Sequence, residues 1–243
     1  MKDYRYKIYE KYETKFNRVI DNVDEKSIRS LNEHYRIKFM PFLQSFNRQC
    51  NVLELGCGPG YLIEFLTMNG FDNITGIDIS PEQITLAKSK GYNVINTDVL
   101  EYLRNNAITY DIIFALDFVE HFTKEELIEL SNLIYTRLSV DGILIIRTPN
   151  GEGLFPNRII YGDLTHHTIF NQNSLSQLLN YSGFNNFIFI ENSPVAKNLK
   201  GLLRKILWQI IKLPLNFIKI VETGAGQKLW TQDFICVAKK NNN

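Results

Sequence analysis

The sequence predicts an α/β fold, with a doubly wound, mostly parallel sheet of seven strands, an N-terminal helical cover and a C-terminal helical insertion. Three observations carry that prediction. Between residues 50 and 150, short apolar runs alternate with amphipathic stretches at the pitch of strand–helix–strand units. Two later strand-like runs, Phe187–Ile190 and Phe234–Val237, flank a long basic segment and extend the same sheet. The 243 residues are 44% hydrophobic and 22% charged, which suits one sizeable core and excludes a disordered or fibrous chain. The chain divides into a helical cover, residues 1–49, and an α/β domain, residues 50–243, with an insertion at 197–221.

The elements follow in order. Residues 1–49 read as helical, with Tyr4, Tyr6, Tyr9, Tyr12 and Phe16 at mixed spacings and a second segment from about Ser27 to Leu43. Neither shows a core pattern of its own, so both are expected to lie on another element. The tyrosines are expected mainly to pack this cover, with a lid over a pocket as the alternative. The early strands are Asn51–Leu55, Asn73–Ile77, Tyr92–Ile95, Asp111–Leu116 and Ile143–Arg147. Between them lie helices Tyr61–Asn69, Pro81–Lys90, Val99–Asn105 and Lys124–Leu138, with Pro81 in a first turn capped by Ser80. A loop with Gly151, Gly153, Pro156 and Gly162 leads to a short helix, Ser174–Ser182. Lys197 to Val221 holds lysine and arginine but no acid; charges interrupt it and Pro214 breaks it, so it does not read as a membrane span. Packing within the protein is its default reading. Contact with an anionic membrane surface or with another subunit are the alternatives.

Charge and cysteine content narrow the class. Lysine and arginine (27) balance aspartate and glutamate (26), and the net charge of +1 argues against a nucleic-acid partner. Three scattered cysteines, Cys50, Cys57 and Cys236, form neither a disulfide framework nor a metal motif. No metal site is expected. The first ten residues lack the apolar run of a signal peptide. These features predict a cytoplasmic protein, with residues 197–221 as the one stretch suited to the inner face of the membrane.

Ligands of such sheets sit at the carboxyl ends of the strands. The first strand runs into Glu54-Leu55-Gly56-Cys57-Gly58-Pro59-Gly60, where alternate glycines let the backbone turn sharply and approach a ligand. The second ends in Gly76-Ile77-Asp78-Ile79-Ser80, which places an acid about 20 residues past the loop, where it can bind a ribose diol. The bland alternative is that Asp78 caps the next helix. The third ends in Asn96-Thr97-Asp98-Val99, where an acid can accept from an adenine amino group.

Together, VLELGCGPG, GIDIS, NTDVL, YDIIFALDFVEHF and LSVDGILIIRTPN resemble the class I S-adenosylmethionine-dependent methyltransferases over about residues 50–150. The resemblance implies a Rossmann-like fold, S-adenosyl-L-methionine as cofactor, and a set of roles. Gly56, Gly58 and Gly60 line the methionine half, with Glu54 holding the strand end beneath. Asp78, with Ile79 beside it, takes the ribose hydroxyls, and Asp98, with Val99, takes the adenine amino group. Asp117 and Phe118 border the reaction centre. The pattern E-x-G-x-G-x-G differs from the G-x-G-x-x-G of dinucleotide dehydrogenases and suits a ligand without phosphate, whose sulfonium favours carboxylates and aromatic faces.

For the acceptor, the candidate catalytic residues are His121, at the end of strand four, and His166 and His167, in the loop after strand five. A histidine base near neutral pH assists an alcohol acceptor. Structural roles are the alternatives: a hydrogen bond from His166 to Asp163 or to backbone, and packing of His121 at a helix start. The run Asp163 to Phe170, followed by Asn171 to Leu175 and Gly183-Phe184, resembles a branch of bacterial methyltransferases, many of which act on building blocks of surface polysaccharides such as capsule. In that pattern His166 is the aligned histidine, and Asn171 stands where threonine is usual. Arg36, Lys38, Arg147 and Arg158 are candidates for a phosphorylated acceptor, with solvated surface charge as the alternative. Strand four lacks the Pro-Pro-aromatic signature of base amino methyltransferases, and no Pro-Cys nucleophile follows it. The expected activity is methyl transfer to a hydroxyl of a small sugar or phosphorylated precursor. The alternatives are N-methylation of a small amine, such as a phosphorylated amino alcohol, and a non-catalytic cofactor-binding partner protein.

Overall fold

The computed structural model describes residues 4–9 and 24–241. Its sheet has seven strands: β1 (Val52–Leu55), β2 (Ile74–Asp78), β3 (Val94–Asn96), β4 (Tyr110–Leu116), β5 (Leu138–Pro149), β6 (Asn186–Glu191) and β7 (Asp233–Lys239). They lie in the order β3-β2-β1-β4-β5-β7-β6. The first five pair in parallel, and β7 runs antiparallel between β5 and β6. Every residue of β1 is buried, as parallel strands covered on both faces require. The strand order reverses between β1 and β4, so a crevice opens at their carboxyl ends.

The helices among the described residues are α1 (Tyr4–Tyr9), α2 (Glu25–Lys38), α3 (Met40–Leu43), α4 (Tyr61–Met68), α5 (Pro81–Ser89), α6 (Val99–Asn105), α7 (Lys124–Arg137), α8 (Asn157–Ile160), α9 (Gln172–Tyr181) and α10 (Leu199–Thr223). Two apolar cores flank the sheet. One joins α6, α7 and α9 to one face, and the other joins α2 to α5 to the opposite face. The amino-terminal cover is therefore part of the second core. Tyr35, Phe39 and Leu43 recur every four residues and are buried; Phe39 meets Phe114 of β4 with ring centroids 5.7 Å apart. Full burial of such a side chain contributes about 1.5–3 kcal/mol, so this stripe ties the cover to the sheet firmly.

Two expectations fail here. Pro214 does not break the insertion: α10 runs unbroken from Leu199 to Thr223 with Pro214 inside it. The backbone acceptor left without an N–H lies on an exposed helix, where water can satisfy it. Nor does α10 enter the core: it rests on the body along one half-buried stripe, and none of its residues is fully buried.

Candidate active site

The wall expected to hold the cofactor, called the cofactor wall below, is built by the turn after β1 and the ends of β2 and β3. Gly56 and Gly58 adopt left-handed backbone, with φ of +71° and +52°. A Cβ on Gly56 would lie 2.6 Å from the Phe118 ring, so only glycine fits that turn. Gly58 N–H donates to Asp78 Oδ2 at 2.8 Å, and Ser80 N–H donates to Asp78 Oδ1 at 2.8 Å. Asp78 thus holds the glycine turn against β2. Burial raises its carboxyl, and the hydrogen bonds from Ser80, Gly58 and Ile79 oppose that rise. Ser80 occupies the cap position of α5, but its hydroxyl caps nothing and is buried without a partner among the described residues. The cap expected of it is not formed. Asp98 caps α6, accepting from Leu100 N–H at 2.8 Å and Glu101 N–H at 3.1 Å through Oδ1.

These elements enclose a cavity of about 670 Å³. Of the residues expected to bind cofactor, it brings together Gly56, Gly58, Asp78, Ile79, Asp98, Val99, Asp117 and Phe118. Glu54 and Gly60 do not line it. Glu54 is buried behind the turn, where burial and then Asp78 push its carboxyl well above the usual range. Gly60 instead starts α4 with φ of +82° and has the Tyr92 ring packed where a side chain would stand. Asp117 is left-handed at the end of β4, with φ of +51°, and forms an ion pair with Arg147 whose Nε–Oδ1 distance is 2.9 Å. A non-glycine residue in that conformation stores strain of roughly 1–3 kcal/mol, and such strain concentrates at functional sites.

The facing wall, which carries the residues expected to meet an acceptor and is called the acceptor wall below, is built by α1, the turn after β4, and the loop around residues 161–170. His121 lies in the 3-10 turn Val119–His121 and lines the cavity. Its Nδ1 is 2.8 Å from Thr165 Oγ1 and 2.9 Å from the Tyr9 hydroxyl. Thr165 Oγ1 in turn donates to Asp163 Oδ1 at 2.6 Å. His166 does not line the cavity, but its ring centroid is 4.8 Å from that of His121. Its Nδ1 donates to Ile160 O at 3.2 Å, so the loop-holding contact expected of it goes to backbone and not to Asp163. His167 is turned away from the cavity and is exposed; its Nε2 pairs with the Tyr4 hydroxyl at 2.7 Å. Glu120 is buried beside His121 and His166. Its Oε2 accepts from Thr148 Oγ1 at 3.1 Å, and Oε1 has no partner among the described residues. Burial, then Asp117, drives the Glu120 carboxyl well above its ordinary range, and burial, then His166, lowers His121 to about 4. His121 is therefore a neutral imidazole at pH 7.

Glu120, His121 and His166 offer carboxylate and imidazole atoms all within 4.8 Å of one another, a donor set of the metal-ligand type that the sequence did not suggest. Arg5 and Tyr9 of α1 also line the cavity and were not expected there as site residues. Arg5 donates to His121 O at 2.7 Å and pairs with Glu126, clamping α1 onto the site. Tyr9 is thus more than cover packing. Tyr12 and the side chain of Tyr6 lie outside the described residues. Of the cations proposed for a phosphorylated acceptor, none lines this cavity: Arg36 pairs with Glu33, Lys38 donates to Glu191 O, Arg147 pairs with Asp117 and Arg158 is exposed.

A family model described as a methyltransferase domain matches residues 10–187. The chain belongs to this methyltransferase family. An S-adenosylmethionine-dependent methyltransferase from Archaeoglobus fulgidus superposes with a TM-score of 0.67 at 26% identity, covering 88% of this chain and 95% of that one. A phosphoethanolamine N-methyltransferase from Haemonchus contortus, solved with S-adenosyl-L-methionine, shares the fold with a TM-score of 0.61 at 13% identity, covering 92% and 59%. Among curated proteins, a ubiquinone biosynthesis O-methyltransferase of Rickettsia bellii is 33% identical over 41% of this chain and 42% of its own. A malonyl-[acyl-carrier protein] O-methyltransferase of Bacillus anthracis is 34% identical over 52% and 46%. The methyltransferase thus spans less than half the length of these curated relatives. The cavity fits S-adenosyl-L-methionine, the cofactor of these solved neighbours: its wall offers carboxylates and the Phe118 face, and Arg5, the one arginine or lysine among its described lining residues, is paired with Glu126. The surface-polysaccharide branch expected from the loop around His166 finds no support in these relatives, which are named for quinone and acyl-carrier substrates.

Proposed function

We propose that the enzyme transfers the methyl group to an oxygen of a small acceptor seated between Phe118, His121 and Tyr9. When bound, the cofactor supplies an electrophilic methyl carbon on a cationic sulfur. The chain's own residues do the rest. Asp78 and Asp98 hold the nucleoside end, and Asp117 and the Phe118 face border the methyl-bearing end. Much of the acceleration comes from aligning the acceptor oxygen with the methyl carbon and keeping water out. The observation that carries the reading is the Asp163–Thr165–His121 chain of hydrogen bonds, with Tyr9 as a second anchor. It fixes the imidazole through Nδ1 and leaves Nε2 of a neutral ring to take the acceptor's proton as the new bond forms. His166 and Glu120 sit beside it as the next polar groups. The curated relatives named above both act on oxygen, which favours O- over N-methylation. Labelled methyl transfer into a panel of small alcohols, phenols, carboxylic acids and amines is the direct test. An ether or ester product is expected; an N-methylated product, or no transfer to any class, overturns the reading.

A second reading is favoured by the partnerless Oε1 of Glu120. The same three donors would hold a divalent cation, which would lower the pKa of the acceptor hydroxyl in place of the imidazole. Full turnover in the presence of EDTA keeps His121 as the proton acceptor. Loss of turnover restored by Mg²⁺ or Mn²⁺ reassigns Glu120, His121 and His166 to metal.

A further inference from the structure

Helix α10 is built inside out for a helix on a globular protein. Its 25 residues begin at an Asn198 cap, which accepts from Gly201 N–H, and end at the left-handed Gly224. At 1.5 Å per residue it is about 37 Å long. Its half-buried positions, Gly201, Trp208, Lys212, Leu215, Asn216 and Lys219, form one stripe toward the body. Polar contacts hold that stripe down: Lys212 pairs with Glu191 at 2.7 Å, and Asn216 Oδ1 accepts from Gln227 N–H at 2.7 Å. The apolar residues point the other way. Leu199, Leu213, Phe217, Ile218 and Val221 are 82%, 71%, 68%, 63% and 71% exposed, and Leu203 is 54% exposed. A surface helix normally turns its apolar stripe to the core and its charges to water. A contiguous exposed apolar face marks a surface that something else covers.

The charge on this helix identifies the cover. Lys200, Arg204 and Lys205 have no ion-pair partner among the described residues, and the helix has no acid before Glu222. The whole chain carries a net charge of only +1, so the excess is local. A second copy docked on the same face would bring cations against cations with no acid to match them. An anionic lipid surface pairs them and buries the apolar face together. No helix among the described residues is long and apolar enough to cross a membrane, so the contact lies in the plane of the interface. At the root of α10 a second cavity of about 620 Å³ opens, with Lys200 and Arg204 in its lining. His34 Nε2, Asn192 Oδ1 and Trp208 Nε1 also belong to residues lining it, and each is buried without a hydrogen-bond partner among the described residues. Such orphaned polar atoms are costly unless something occupies the space.

We propose that α10 is an in-plane anchor that docks the enzyme on an anionic phospholipid surface, with the cavity at its root facing the headgroup layer. This goes beyond the oxygen-acceptor reading and does not depend on it. The test is flotation of the full-length protein with vesicles of phosphatidylglycerol and phosphatidylcholine, against vesicles of phosphatidylcholine alone. Flotation with the anionic vesicles at low salt, lost at high salt, is expected. Replacing Lys200, Arg204 and Lys205 together by glutamine should weaken partitioning on the order of a hundredfold, at about fivefold per cation. Phe217→Glu with Leu213→Glu should abolish it. All of these residues are exposed, so binding of adenosylhomocysteine by the variants serves as the check that they fold. Absence of flotation with anionic vesicles overturns the proposal, as does equal binding to neutral ones. A concentration-dependent dimer that Phe217→Glu dissociates, without vesicle binding, also overturns it and assigns the face to a second copy.

Discussion

On the cofactor wall, the hydrogen bonds that shape the site join residues close in sequence. Asp78 reaches Ser80 two residues on and Gly58 twenty residues back, and Asp98 reaches Leu100 and Glu101. On the acceptor wall they join distant ones: Tyr9 to His121 across 112 residues, His121 to Thr165 across 44, and Arg5 to Glu126 across 121. The first wall is largely backbone geometry, imposed by glycines and strand ends. The second is side-chain geometry that exists only once α1 and the loop around residues 161–170 have closed on β4. The difference teaches that the two walls should fail separately. Damage to the acceptor wall should lower turnover and leave cofactor affinity intact, and damage to the cofactor wall should do the reverse.

The largest effect expected is from His121→Ala. Loss of the positioned imidazole should lower turnover by about 10²- to 10⁴-fold, with the calorimetric Kd for adenosylhomocysteine unchanged. His166→Ala should act in the same direction. A variant in which turnover and cofactor affinity fell together would erase the distinction between the walls. Next comes Gly56→Ala, which forces a methyl group into the Phe118 ring at a positive φ. Strain of roughly 1–3 kcal/mol there should weaken adenosylhomocysteine binding about 5- to 150-fold in the same calorimetric assay. Native affinity in Gly56→Ala would mean that the turn does not hold the cofactor. Tyr9→Phe removes one neutral hydrogen bond to His121, worth about 0.5–1.5 kcal/mol, so kcat should fall about two- to tenfold without a change in cofactor Kd. An unaltered kcat would reduce α1 to packing.

The same contrast governs what could be read before the fold was known. Strands β1 to β5 and helices α4 to α7 were legible because apolar periodicity is local, and Gly56, Gly58, Asp78, Asp98 and Asp117 were legible because each stands directly after an apolar run. Tyr9 and Arg5 were not, since nothing in a run of tyrosines and basic residues states what lies more than a hundred residues away. Tyr35, Phe39 and Leu43 do form an apolar stripe at helical spacing, yet the surrounding charges hid that it belongs to the sheet's own core. Pro214 was misread for a physical reason: the carbonyl it leaves without a donor is that of Ile210, on the exposed side of the helix where water can satisfy it, so the helix continues through the proline.

Proton uptake gives the most specific probe of the acceptor wall. Burial first, and the neighbouring His166 second, lower His121 to about 4. An unfolded histidine takes up its proton near pH 6.5, whereas the folded one declines it until about pH 4. Between those values the unfolded chain binds more protons, so the His121 contribution to stability is intact above pH 6.5 and is lost as the pH falls toward 4. Glu120 works in the opposite sense: its carboxyl, raised by burial, keeps a proton in the folded state that the unfolded chain releases, so its contribution weakens as the pH rises above the usual carboxylate range. The whole profile mixes the two, and His121→Gln isolates the first. In urea titrations, the stability difference between the native protein and His121→Gln should be constant above pH 7. It should then shift against the native protein by about 2–3 kcal/mol between pH 6.5 and pH 4, following about 1.4 kcal/mol per pH unit. A flat difference across that interval would mean that His121 is charged and solvated in the folded enzyme, and the buried neutral imidazole assigned to the acceptor wall would be wrong.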